Sequence, residues 1–394
     1  MTLSARDIVC LVLYFIFLTT ISIWDISFQY IALIAALIMI FWMVLLRGKW
    51  PKFIFIDLFA LLPLFIWLYG VSIGVLNSNN NAGIVRNFAG MLFYLVYFFM
   101  VFSSISRSKI LAIVIKASTI YLIIALMLGV ISFINGNLVS FDEYGTSSIR
   151  FYFSVGQSIL IPTLFIYLCG SSHFFRSDFD RMAIVKRSRI IILAIIISLI
   201  FSGGKGYYLE LGALALIFFF LFIIRFIKKL KIDFKSFFLL TILVTIGIYI
   251  LPELTNIFSS LIFMEFDNNH PRVIQGKALI EDFTLFGKGL GAVIPHYSRD
   301  ALGYGFELSF HNIVHKFGIF SVFVFASYLA PIFYSLNEIF YRTSKINSYL
   351  PLIFMLYLIP ASANPSIFAP VCVIMHCIAL YFIRLNIYEK TKNV

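Results

Sequence analysis

Residues 53–76 read FIFIDLFALLPLFIWLYGVSIGVL, an apolar run whose one charged residue is Asp57. As a helix rising about 1.5 Å per residue, this run spans the roughly 30 Å hydrocarbon core of a bilayer. Arg47, Lys49 and Lys52 stand just before it, whereas residues 77–86 just after it carry only Arg86. An apolar run with cations gathered at one end is the signature of a helix that crosses a membrane in a fixed direction. In lipid, backbone polar groups find no water, so only helices or closed barrels can span. The two-residue alternation of a barrel strand is absent here, which leaves helices.

The rest of the chain repeats the pattern. Of its 394 residues, 61% are hydrophobic and 12% charged, with a mean hydropathy of +1.00. A soluble domain carries about 25% charged residues. Apolar runs fall at 8–24, 28–46, 53–76, 87–103, 110–134, 151–170, 190–203, 207–224, 236–252, 312–335, 349–363 and 366–383. The fold class expected is all-α: a polytopic membrane protein of about twelve transmembrane helices, with residues 1–394 forming one integral membrane domain. The first run lacks a small-residue cleavage site and is read as a retained helix.

The net charge of +12 raises nucleic acid as a partner, but the positions of the cations argue against it. Arg107 and Lys109 follow the fourth run. Arg176, Arg181, Lys186, Arg187 and Arg189 follow the sixth, and Arg225, Lys228, Lys229, Lys231 and Lys235 the eighth. Arg342 and Lys345 follow the tenth, and Arg384, Lys390 and Lys392 close the chain. The intervening connectors are poor in cations. Cations kept in the cytoplasm place both termini inside, with twelve crossings. Cys10, Cys169, Cys372 and Cys377 fall in or beside apolar runs and read as small hydrophobes rather than a disulfide framework or zinc site.

The outer connectors are then 77–86, 135–150, the tight turn Ser202-Gly203-Gly204-Lys205-Gly206, and the long stretch 253–311 between the ninth and tenth runs. A connection that long is usually functional or holds its own helices. Within it, Val273, Ile274, Ala278 and Ile280 are spaced as on a short amphipathic helix over 273–283.

Polar residues at this outer face without a topological reason are the candidates for chemistry. The cations are Arg86, Arg150, Lys205, Arg272, Lys277, Lys288, Arg299 and Lys316, joined by Glu307, His311 and His315. Arg272 precedes the short helix. Gly287, Gly289 and Gly291 follow it in Phe-Gly-Lys-Gly-Leu-Gly-Ala, where glycines permit close backbone approach and free amides favour anions. The Gly-Lys-Ser/Thr ending of a P-loop is absent. Lys205 has two readings, a structural pair with Glu210 and a functional cation at the outer face. Single cations such as Arg86 and Arg150 at outer helix ends are also expected to reach lipid headgroups. Glu307 and His311 stand four apart, which on a helix places both on one face. A carboxylate beside an imidazole is the arrangement of a general base, and His315 lies one turn further on. Asp178-Phe179-Asp180 resembles a metal–nucleotide-sugar motif, but it sits beside five cations on a cytoplasmic connector and reads as a charge-balanced loop. No zinc spacing and no Gly-x-Ser-x-Gly elbow is found.

Twelve helices, cytoplasmic termini, a large outer loop between the ninth and tenth, and His311-Asn312 at its end resemble the O-antigen polymerase (Wzy) and O-antigen ligase (WaaL) superfamily. The residues carrying the resemblance are Arg272, the 287–291 glycines, Glu307 through Gly318, and Ser202 through Gly206, which is similar to the family's Ser-x-x-Arg/Lys-Gly feature. Lys205 where ligases carry Arg, and the placement of Gly318, turn the resemblance toward the polymerase. It implies a membrane-embedded glycosyltransferase of GT-C-like architecture in the bacterial inner membrane, inverting, with no cofactor and no metal. The donor implied is a glycan on undecaprenyl pyrophosphate, and the acceptor a second lipid-linked repeat unit, or lipid A–core for a ligase. A chain-length regulator protein is a further implied partner. Arg272, Lys205, Arg150 and Arg86 would face the pyrophosphate or glycan with His315, and His311 helped by Glu307 would serve as base. A non-enzymatic transporter of lipid-linked sugars is the remaining alternative. Transporters gather charges and broken helices near mid-membrane, whereas the unexplained charges here gather at one face.

Overall fold

Along residues 55–76, the buried residues are Ile56, Asp57, Ala60, Pro63, Ile66, Trp67, Gly70 and Gly74, while Phe55, Phe65, Leu68, Val75 and Leu76 point outward. Small residues and one carboxylate share the inward face with Ile56, Ile66 and Trp67, while the outward face is wholly large and apolar at these positions. This is how helices pack when their outer surface meets lipid rather than water. In a computed structural model, the described residues are 5–20, scattered positions between 30 and 42, 51–135, 139–141, 147–149, 155–171, 189–200, 205–229, 271–294, 306, 308–342, 346–362 and 365–391.

These residues form α1 (Ala5–Thr20), α2 (Phe55–Leu76), α3 (Asn81–Ala89), α4 (Leu95–Ser103), α5 (Arg107–Ile134), α6 (Leu160–Ser171), α7 (Arg189–Ile200) and α8 (Lys205–Lys229). They continue with α9 (Pro271–Glu281), α10 (Ser309–Phe317), α11 (Ser321–Asn337), α12 (Leu350–Phe354), α13 (Leu358–Ser362) and α14 (Pro370–Thr391). A 3-10 turn, Gly90–Tyr94, joins α3 to α4. One departure from an all-α reading lies in the connector 135–150, where β1 (Val139–Phe141) pairs antiparallel with β2 (Ser147–Ile149).

Five stretches are long and apolar enough to cross a membrane among the described residues: Phe55–Leu76, Asn81–Ser103, Arg107–Ile131, Ser309–Phe340 and Pro370–Thr391. Five shorter apolar helices accompany them. These features are those of a helical membrane protein. All ten fall on predicted apolar runs. The predicted run 28–46 is described only at scattered positions, and 236–252 lies outside the described residues.

The helix α14 is the axis of the packing. Its side chains from Val371 to Ile383 are buried without interruption, against α2, α4, α12 and the Gly90–Tyr94 turn. Two prolines interrupt the helices around it, Pro63 in α2 and Pro331 in α11. Each proline lacks an N–H, so the carbonyl four residues back loses its donor. Those carbonyls belong to Phe59 and Ser327. The Ser327 hydroxyl donates to the Phe59 carbonyl, and His376 Nε2 of α14 donates to the Ser327 carbonyl at 3.0 Å. The imidazole is thereby fixed with its hydrogen on Nε2, and Nδ1 accepts from the Tyr94 hydroxyl at 2.6 Å. A buried serine and a buried histidine thus repair both proline breaks and couple three helices.

The end of α14 is tied down by ions. Arg384 pairs with Asp57 of α2, and Asp57 also accepts from the Tyr97 hydroxyl and from the Ile54 amide at 2.8 Å. Arg107 bonds Glu389 at 3.0 Å and Asn386 at 2.7 Å, and Lys390 pairs with Glu338. Arg384 and Arg107, read from sequence as topology cations, are buried ion-pair partners. Their neighbours reconcile the two roles. Every partner comes from a connector of the basic set or from the adjoining helix end, while Asn77 and Asn79 of the cation-poor set bond the backbone at 288–290. Among the described residues, the basic ends of α2, α5, α11 and α14 are joined by these ion pairs.

The proline repair makes a specific prediction. Ser327→Ala leaves the Phe59 carbonyl without a donor and is expected to lower stability by about 1–3 kcal/mol. In a Pro63→Ala background the backbone amide gained at that position serves the carbonyl, so the same serine substitution has a smaller effect. Thermal unfolding of the four proteins in detergent measures the coupling; effects that add to within about 0.5 kcal/mol would contradict the repair.

Candidate functional site

The short amphipathic helix expected over 273–283 is α9, Pro271–Glu281, extended by the Asp282 amide donating to the Ala278 carbonyl at 3.0 Å. It lies beside α10, and the two with α11 enclose a cleft of about 290 Å³. Its walls are Leu279, Ile280 and Phe283 from the α9 segment, Phe310, His311 and Val314 from α10, and Phe325 from α11. His311 is the single polar side chain among these seven. Arg272 stands seven residues before Leu279, so it shares that side of α9, about 10 Å further along the axis.

The two histidines of α10 have different surroundings. His311 is exposed to the cleft, whereas His315 is buried with Ser309, Asn312 and Lys316 on the inner side of the helix. His315 Nε2 donates to Asp282 Oδ2 at 2.9 Å, and Lys288 Nζ bonds the other oxygen, Oδ1, at 2.8 Å. His315 Nδ1 has no hydrogen-bond partner among the described residues. Lys316 Nζ lies 5.5 Å from the centroid of the Phe306 ring, and Phe306 in turn meets His315 edge-on at 5.8 Å.

A carboxylate–imidazole pair, Asp282 with His315, thus forms between two segments. The described part of α10 begins at Ser309, with Leu308 before it as a non-helical cap. Glu307 itself lies outside the described residues. Asp282 is the residue that sequence reasoning missed. Its partner is 33 positions away, beyond any local spacing rule.

The glycine run has a different role from the anion cradle its composition implied. Lys288 N donates to the His315 carbonyl, Gly289 N to the Lys316 carbonyl and Leu290 N to the Gly70 carbonyl, each at 2.9 Å. Gly291 N reaches Asn87 Oδ1 at 3.3 Å. These amides are engaged by protein and are not free for a phosphate. Gly289 has φ of +80°, and a Cβ there would sit 2.2 Å from the Gly74 nitrogen, inside the backbone of α2. Gly318, with φ of +55°, ends α10 where the Leu285 carbonyl presses in and accepts from Ile319 N at 2.9 Å. Tyr69, Asn77 and Asn79 complete the clamp by donating to the carbonyls of Phe286, Lys288 and Leu290. The stretch 284–291 is a strap wedged between α2 and α10, and it fixes where α9 lies.

The other sequence candidates distribute as follows. Arg86 is exposed on α3, next to the Asn87 that holds the strap. Lys205 opens α8, and its side chain, like Arg150, Arg299 and the Asp178–Asp180 motif, lies outside the described residues. Glu210 is fully buried in α8, and neither carboxyl oxygen has a partner among the described residues. His311 and His315 lie on α10 and Arg272 on the neighbouring α9, while Arg86 stands on α3. The four cysteines are unpaired, three of them buried.

No protein-family model matches the chain, and no curated protein matches it.

Burial pushes the Asp282 carboxyl upward, but the hydrogen bonds and charges of His315 and Lys288 outweigh it, so its pKa lies below the ordinary carboxylate value. A depressed pKa stabilises the docked strap fully above the unfolded carboxylate value of about 3.9, and that contribution disappears as pH falls through the lower folded value. Brief pepsin exposure is therefore expected to leave the strap intact at about pH 5 and to cut it increasingly toward about pH 3. In Asp282→Asn this dependence is expected to flatten; an equally steep profile in the variant would contradict the assignment.

Proposed function

We propose that this chain is a membrane-embedded glycosyltransferase that joins glycan repeat units carried on undecaprenyl pyrophosphate. The reading rests on the resemblance to O-antigen polymerases. The observation that carries it is the apolar cleft with His311 as its one polar wall residue and Arg272 on the same side of α9. An apolar wall suits a polyprenyl chain, and an imidazole facing it is within the same cleft as the reacting head group would be.

In the proposed reaction the acceptor hydroxyl attacks the anomeric carbon of the donor sugar as the bond from that carbon to the pyrophosphate oxygen breaks. His311 takes the proton of the attacking hydroxyl. The pyrophosphate leaves with the bonding electrons, and cations must offset its growing charge. Arg272 suits this by its planar fork of donors, and Lys205 by its point charge, with Arg150 and Arg86 further out. The twelve-crossing topology with cytoplasmic termini, the GT-C-like architecture and the inner-membrane location belong to the same proposal, as does a chain-length regulator as partner. Under this topology the cleft opens at the outer leaflet, where lipid-linked units arrive after crossing.

A strain lacking the protein is expected to carry single repeat units on lipid A–core, seen on a gel of extracted lipopolysaccharide. Bare core, with long glycan left on the lipid carrier, would mean a ligase instead. Returning His311→Ala or Arg272→Ala to that strain is expected to restore little polymer, since a positioned base contributes about 10²–10⁴-fold. A normal ladder from both variants would contradict the site.

A further inference from the structure

The two walls of the cleft come from segments that are distant in sequence, and named polar contacts stand at both ends of α9. At one end of α9, Gln275 Oε1 accepts from the Leu308 amide at 3.3 Å. At the other end stands Asp282, whose two oxygens engage His315 at 2.9 Å and Lys288 at 2.8 Å. Asp282 therefore joins three pieces: the α9 wall, the strap and the α10 wall. The imidazole of His315 is buried, and its other nitrogen has no partner among the described residues, so Asp282 is its one hydrogen-bonded tether there. His311 is one helical turn from His315 on α10, and Phe283, a cleft residue, is next to Asp282 in the chain. The Asp282–His315 contact thus adjoins both sides of the cleft.

We propose that Asp282 is a positioning residue: through His315 it holds the α10 wall, and with it His311, against the α9 wall that carries Arg272. Taking His311 as the base rests on the glycosyltransferase reading; the tie between the walls does not. Asp282 touches no substrate in this role. It keeps the proton acceptor and the pyrophosphate-facing cation in one geometry, and displacements of about 1 Å in such a pair can reduce rates about 100-fold.

The test uses the full-length protein in lipid nanodiscs. Hydrogen exchange over 273–283 reports the tie directly, and turnover of purified lipid-linked repeat units reports its consequence. Asp282→Ala is expected to speed exchange in that segment about tenfold or more, while the remaining helices exchange as before. It is expected to lower kcat about 10–100-fold with KM within about twofold. Asp282→Asn, which keeps an acceptor oxygen for His315, is expected to fall between wild type and Ala. In a His311→Ala background, Asp282→Ala is expected to add little further loss, because a residue acting through His311 has nothing left to position. Unchanged exchange, unchanged kcat, or losses that multiply in the double variant would each overturn the proposal. If wild-type protein joins no units, the glycosyltransferase reading falls, and the exchange result alone decides whether Asp282 ties the walls.

Discussion

A carbonyl that proline has stripped of its donor inside a membrane must find another donor in the protein, since lipid offers none. Two such carbonyls, of Phe59 and Ser327, set the arrangement of this chain. One serine answers the first, and one histidine answers the second, so α2, α11 and α14 are joined at depth by hydrogen bonds rather than by shape alone. With the tyrosine hydroxyl on its remaining nitrogen, His376 has both ring nitrogens occupied and stays in one tautomer. The Arg384–Asp57 pair then fixes the basic end of the same helices. The opposite end is left for the strap and the cleft.

That opposite end is built on close backbone contact. The strap amides that glycines bring near α2 and α10 bond helix and loop carbonyls, so the glycine-rich stretch is an anchor for α9 and not a phosphate cradle. The anchor determines what faces the cleft. Apolar residues of α9, α10 and α11 meet there, and the imidazole of His311 interrupts them. On the buried side of α10, Asp282 accepts the hydrogen bond that joins the two walls. Local stiffness in the strap and a single carboxylate thus define the site's geometry, and the proposed chemistry depends on that definition.

The hydropathy of the chain made most of the helices legible, since ten apolar runs recur as helices among the described residues. Gly287 through Gly291 were visible as a special stretch, but composition alone could not say whether their amides would face a ligand or another helix. The partner here was Gly74 of α2, more than 200 residues earlier. Asp282 was invisible for the same reason, because a carboxylate beside an amphipathic helix looks solvated until its histidine arrives from the next segment. His376 lay in a wholly apolar run, and nothing local tied it to a proline in another helix. Long-range pairing is what single-sequence periodicity leaves out, and the buried polar groups are where it matters most.

The central claim is that this chain itself joins lipid-linked glycan units. The most direct measurement places the purified protein in nanodiscs with a labelled repeat unit on undecaprenyl pyrophosphate and separates the products by size. The account predicts products lengthening one repeat at a time, with release of the lipid pyrophosphate and no added nucleotide. Units that stay single while crossing from one leaflet to the other would contradict it and mark the protein as a transporter.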